Sequence, residues 1–136
     1  MGTTSMGRVD PGLGIRAGSN FWAEKGKRII DEEFSSLSGI GQVCEKLGIS
    51  ESHFRELFRS AFGMNPKHYL QRVQIEYARQ LLLTTPIKVS EISDLAGFKH
   101  RWAFYRIFKR LTGYNPSEYH RTKKNLQTAT KITGEI

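Results

Sequence analysis

Cysteine is almost absent: Cys44 stands alone among 136 residues. A single thiol excludes an internal disulfide and any zinc site built from several cysteines. It also suits a reducing compartment, so the cytoplasm is expected. Long apolar runs are missing too. The longest are a few residues, such as Leu81-Leu82-Leu83, far short of the roughly 20 that cross a bilayer. No apolar block near the start makes a signal peptide. The four histidines, His53, His68, His100 and His120, have no metal-ligand spacing, and neither a Gly-x-Gly-x-x-Gly turn nor a P-loop is present. No nucleophile, base and orienting acid can be assembled. Enzyme activity, a cofactor and a metal are therefore not expected. Acidic residues are few, 13 Asp and Glu against 21 Lys and Arg, for a net charge of +8 and a pI near 9.8. That balance points to a polyanion, with nucleic acid first and an acidic membrane surface second.

What is present suffices for a small core. The chain is 38% apolar, with eight Phe, five Tyr and two Trp, and its length allows one domain or two very small ones sharing a helix. Residues 1–20 are glycine-rich and lack periodicity, as in a flexible leader, an interdomain linker or a cloning scar. Residues 125–136 read as a polar tail. Between them, helices are expected over 21–34, 41–47, 51–62, 66–83, 89–96 and 100–112, with a last one starting near Asn115-Pro116, about seven in all. Trp22, Ile29, Ile30 and Phe34 would share the inner face of the first. Ser50, Ser90 and Asn65 are expected caps, Pro66 suits a first helical position, and Glu118 can reach back to the N–H of Asn115. Val73, Tyr77 and Leu81 are expected to face the core, as are Leu111 and Cys44, the last as packing rather than as a redox switch.

The chain also repeats itself. Phe54, Leu57, Phe58, Gly63, Asn65, Pro66 and Tyr69 match Phe104, Ile107, Phe108, Gly113, Asn115, Pro116 and Tyr119. Val43, Leu47, Gly48 and Ile49 match Ile92, Ala96, Gly97 and Phe98 with one residue fewer between them. Each copy is a short helix, a glycine turn and a longer helix, the helix-turn-helix pattern. The two copies occupy about 41–62 and 89–112, and the helix over about 66–83 connects them. An all-α fold of two such subdomains follows.

The stretch from Gly97-Phe98 through Phe104-Tyr105-Arg106-Ile107-Phe108-Lys109-Arg110 to Gly113-Tyr114-Asn115-Pro116-Ser117-Glu118-Tyr119 closely resembles the second helix-turn-helix signature of the AraC-type transcription regulators. Leu47-Gly48-Ile49-Ser50, Phe54 and Leu57-Phe58 resemble the first, and Arg72 to Leu82 resembles that family's connecting helix. The resemblance implies a DNA-binding domain over 21–124 that binds double-stranded DNA. It also implies control of transcription in bacteria, as a small activator or as the C-terminal domain of a larger regulator whose sensory domain is missing from this chain. RNA polymerase is the implied protein partner, and no membrane role is implied. The family's contact positions fall here on Ser52, Arg55 and Glu56, and on Arg101, Trp102, Ala103, Tyr105 and Arg106.

A helical wheel supports the same faces. With Phe54, Leu57 and Phe58 inward, Ser52, Arg55, Glu56 and Arg59 point out. With Phe104, Ile107 and Phe108 inward, Trp102, Tyr105, Arg106 and Lys109 point out, flanked by Arg101 and Ala103. Arg106 and Arg55 can pair with guanine O6 and N7 or contact phosphate. Glu56 can accept from cytosine N4, pair with Arg59 or exclude wrong bases. Trp102 either packs on thymine methyls or a sugar edge, or folds back over its own subdomain. Tyr105 suits a phosphate, as do Lys99, Lys109 and Arg110. His100 and His120 can assist there. Basic residues concentrate in the second copy, at Lys88, Lys99, Arg101, Arg106, Lys109 and Arg110 and again at Arg121, Lys123 and Lys124. That half is expected to carry more of the salt-sensitive affinity. The connecting helix spans about 27 Å at 1.5 Å per residue, comparable to a DNA turn of about 34 Å. Misaligned heads would bend the duplex at a cost of about 1–6 kcal/mol. Charge alone also fits a helical adaptor for RNA or acidic proteins. A DNA-modifying protein carrying such a segment is a further alternative, against which the apolar setting of Cys44 argues.

Overall fold

The computed structural model describes residues 11–120. Its helices are α1 (Pro11–Glu33), α2 (Ile40–Leu47), α3 (Glu51–Phe62), α4 (Pro66–Thr84), α5 (Val89–Leu95) and α6 (Arg101–Thr112). A seventh, α7, covers 116–120, and no strand occurs among the described residues. The chain divides into two compact units between Leu70 and Gln71, a boundary inside α4. Residues 1–10 and the tail at 125–136 lie outside the described residues. Helix α1 begins ten residues before the expected Phe21, so 11–20 are helical rather than a leader. Pro11 suits a first turn, and extension of a nucleated helix adds a hydrogen bond for each residue fixed, which offsets the cost of Gly12, Gly14 and Gly18.

In the first unit α1 packs against α2 and α3. Ala23, Ile30, Val43, Cys44, Leu47, Phe54 and Phe58 are buried. The inner face of α1 is narrower than its large apolar residues suggest, because Trp22, Ile29 and Phe34 are only half-buried and Ala23, Gly26 and Ile30 make the contact. Small residues let the helices approach closely. A Cβ built on Gly26 would lie 2.3 Å from Cε1 of Phe54.

The turn after α2 depends on Gly48, whose φ of 78° suits glycine and whose N–H donates to the Cys44 carbonyl. Gly97 turns the chain after α5 at φ 96°, with its N–H donating to the Asp94 carbonyl at 3.0 Å. The N–H groups of Ile49 and Phe98 then reach back to the carbonyls of Cys44 and Ser93, at 3.2 and 3.1 Å. Of the expected caps, Ser50 Oγ accepts from the N–H of His53 at 3.1 Å, and Asn65 Oδ1 accepts from that of Lys67 at 2.8 Å. The Asn115 N–H donates to Glu118 Oε1 at 2.7 Å. Ser90 is not a cap. Ile92 N–H bonds the Lys88 carbonyl at 2.9 Å, so α5 opens before Ser90 and holds it in its first turn.

The second unit encloses Ile75, Ala78, Leu82, Ile92, Ala96, Phe104, Ile107 and Phe108. Two expectations are corrected here. The buried face of α4 runs through Gln74, Ile75, Ala78 and Leu82, whereas Val73 and Leu81 lie on its flanks and Tyr77 is exposed. A buried glutamine and an alanine disguised that face. Leu111 is 41% exposed rather than in the core.

The repeat reaches further than the helix-turn-helix. Glu24, Gly26, Lys27 and Ile30 of α1 stand where Glu76, Ala78, Arg79 and Leu82 of α4 do, 52 residues later. Each supporting helix meets a tyrosine that closes its unit. Tyr69 packs on Phe58 with ring centroids 5.6 Å apart, and Tyr119 on Phe108 at 5.3 Å. Tyr69 donates to Asp31 at 2.5 Å under the Lys27 ammonium, while Arg79, at the Lys27 position, donates to both carboxylate oxygens of Glu76. Each α1 position thus has its counterpart, and so does Cys44, which matches Ser93. The Ser93 hydroxyl is buried without a hydrogen-bond partner.

Two stability outcomes follow. Gly26→Ala should lower the denaturant midpoint by the equivalent of about 1–3 kcal/mol, because overpacking against Phe54 outweighs the better helix propensity of alanine. Ser93→Cys, which copies the first unit, should raise stability by about 1 kcal/mol by removing an unsatisfied hydroxyl. Urea titrations of the two variants check both.

Candidate nucleic-acid interface

Burial of Phe54 and Phe58 on α3, and of Phe104, Ile107 and Phe108 on α6, fixes which side of each helix remains outside. Ser52, Arg55, Glu56 and Arg59 are all exposed on α3. Lys99 is exposed before α6, and Arg101, Trp102, Tyr105, Arg106 and Lys109 are exposed along it, with Ala103 half-buried at the flank. Glu56 and Arg59 form no ion pair; the pairs between described residues are Lys27–Asp31, Lys46–Glu33 and Arg79–Glu76. Arg110 is also exposed, and its guanidinium donates to Gln71 Oε1 at 2.7 Å within the second unit.

Trp102 is 64% exposed, so the indole is not folded back over its unit. It stands between two neighbours on the helix surface. The His100 ring stacks on it, with centroids 6.0 Å apart and planes within 19°. The Arg106 guanidinium carbon lies 5.5 Å from the indole centroid. Residues four apart meet on a helix face, and an exposed cation–π contact contributes about 0.5–1 kcal/mol. The contact therefore narrows the rotamers open to Arg106. His100 could not be placed in this stack from the sequence, because the spacing of His100 and Trp102 brings them together only through the extended backbone of His100 at the N-cap. Tyr105 leans edge-on against Phe104, at 5.8 Å and 70°, with its remaining surface outward.

The two helix starts differ in charge and capping. α3 opens with Glu51 and with the Ser50 cap satisfying one amide. α6 has no acid in its first turn, and its N-cap His100 makes no side-chain cap bond. Unpaired first-turn amides beside Arg101 favour an anion. α6 therefore presents a cationic, aromatic face suited to a polyanion, and α3 a mixed one. No helix is long and apolar enough to cross a membrane, and no cluster of metal-binding side chains occurs among the described residues.

The sequence model of a family described as a helix-turn-helix domain matches residues 43–122. The HTH-type transcriptional activator RhaR of Enterobacter sp. (strain 638) is 31% identical over 110 residues, 75% of this chain and 39% of that protein. The C-terminal domain of the two-component response regulator yesN from Fusobacterium nucleatum aligns with a TM-score of 0.66 and 31% identity, covering 71% of this chain and 95% of that one. The DNA-binding domain of AdpA, a global transcriptional factor crystallised with a target DNA, shares the fold at a TM-score of 0.68 and 23% identity. That alignment covers 83% of this chain and 96% of the other. The chain spans 34–39% of the length of the first curated relatives it matches.

Proposed function

The chain belongs to the AraC-type family of helix-turn-helix transcription regulators, and we propose that it grips double-stranded DNA with α3 and α6 in two adjacent major grooves. The observation that carries this reading is the His100–Trp102–Arg106 stack, an outward aromatic and cationic ridge on a helix whose opposite side is buried. A major groove admits one α-helix, and side chains near its N-terminus reach base edges. Arg106, steadied by Trp102, reads guanine. Trp102 packs on a neighbouring thymine methyl or sugar. Arg101, Lys99, Tyr105 and Lys109 hold phosphates, and Ala103 leaves room for the backbone to approach. In α3, Arg55 reads a base, Ser52 and Arg59 contact the backbone, and Glu56 selects cytosine or repels mismatches. The relatives are about twice as long, which supports a role as the DNA-binding domain of a larger cytoplasmic regulator. A sensory domain and contact with RNA polymerase belong to the same reading.

Selection from a random duplex pool followed by footprinting tests it. Two protected major grooves about one turn apart are expected. Arg106→Ala should weaken the selected site by about 1–3 kcal/mol while leaving random duplex nearly unaffected. A single protected groove, or unchanged base preference in Arg106→Ala, overturns the proposal.

Charge placement gives a second measurable outcome. Replacing Arg101 and Lys109 with alanine should flatten the slope of log affinity against log salt by about two, one for each lost phosphate contact. Replacing Arg55 and Arg59 should flatten it less. Filter binding across a salt series distinguishes the two, and equal slopes would refute the asymmetry between the units.

A further inference from the structure

Helices α3 and α6 match along their length but exchange sizes at their last turn. The first unit has Ala61 and Phe62 where the second has Leu111 and Thr112. In the first unit the Phe62 ring packs against Phe58 with centroids 4.8 Å apart. It lies beneath the Lys27 ammonium, 6.0 Å from its centroid. Thr112 cannot fill the equivalent place. Its hydroxyl donates to the Phe108 carbonyl at 2.8 Å and accepts the Tyr114 N–H at 3.1 Å, which ties the short side chain to the backbone.

A pocket of about 430 Å³, open to solvent on one side, lies there in the second unit. Buried Ile75 and the rim residue Leu111 supply apolar walls, and Thr112 and Tyr119 add hydroxyl-bearing ones. Arg79 occupies the position of Lys27. Glu76 holds its guanidinium through two bonds, at 3.0 and 2.7 Å. Arg72 also lines the cavity, is exposed and has no carboxylate partner among the described residues. Seven residues separate Arg72 from Arg79, so both lie on one face of α4, about 10 Å apart along it.

We propose that this cavity binds a small aromatic carboxylate. Its ring takes the place that Phe62 fills in the first unit, against Leu111 and beneath Arg79, and its carboxylate pairs with Arg72. The size exchange supplies the ring position, and the unpaired cation supplies the charge preference. The site uses α4, the end of α6 and α7, and does not involve Trp102 or Arg106, so it stands whether or not the DNA contacts are as proposed.

The test is a methyl-detected NMR titration of the full chain with sodium phenylacetate, alongside sodium acetate and benzyl alcohol. Phenylacetate should produce saturable shifts of the Ile75 and Leu111 methyls with an affinity of about 1 mM, the scale of a fragment-sized ligand. Acetate should not. Arg72→Ala should weaken phenylacetate by about tenfold and leave benzyl alcohol unchanged. Thr112→Phe, which restores the first unit's ring, should abolish binding. Should that variant fail to fold, Arg72→Ala and the acetate comparison still decide. Non-saturating shifts, equal shifts with acetate, or wild-type binding by Arg72→Ala would overturn the proposal.

Discussion

The first unit is organised by one close contact, Phe54 of the longer helix seated against Gly26 of the supporting helix. In the second unit Phe104 shares the core with Ala78, which stands at the position of Gly26. Burial of these rings sets the rotation of α3 and α6 about their own axes. Because those helices bury one side completely, rotation decides which side chains remain outside. A larger residue at the small position would push the ring aside and turn the exposed face with it. The surface chemistry at Arg55, Trp102 and Arg106 is thus specified from the interior.

The supporting helices explain why the duplication is deeper than a pair of helix-turn-helix motifs. α1 and α4 play the same part for their respective units, and the first turn of α4 closes the unit that precedes it. Tyr69 and Tyr119 occupy matched closing positions with different neighbours, Asp31 and Lys27 beside Phe58 in one case and the Phe108 and Tyr114 rings in the other. One helix therefore serves both units, as a lid residue for the first and as a base for the second.

Much of this was legible in the residues. Alternating apolar positions, the Asn-Pro starts and the glycine stops located the helix-turn-helix units, because caps and turns are local and their chemistry is written in one or two side chains. The outward set on α3 and α6 followed from helical spacing. What failed had a tertiary cause. Gly26, a poor helix former, has its reason only in the Phe54 ring against it. Gln74 and Ala78 hid the buried side of α4 behind low hydrophobicity. Ser90 looked like a cap, but the extended backbone of Lys88 opened the helix earlier. The His100 stack depends on backbone torsions at a helix start, which no residue pattern encodes.

The bare start of α6 carries a thermodynamic consequence. α3 is finished by its own serine, so its opening turn is already ordered in the free protein. α6 lacks such a group, and an approaching phosphate oxygen would take its place. The turn itself is already closed, because the N–H groups of Ala103 and Phe104 donate to the His100 carbonyl at 3.1 and 3.2 Å; what remains open is the pair of amides at Arg101 and Trp102. The two heads thus differ in how many of their opening amides are already satisfied, one closed by its own serine and the other open to an outside acceptor.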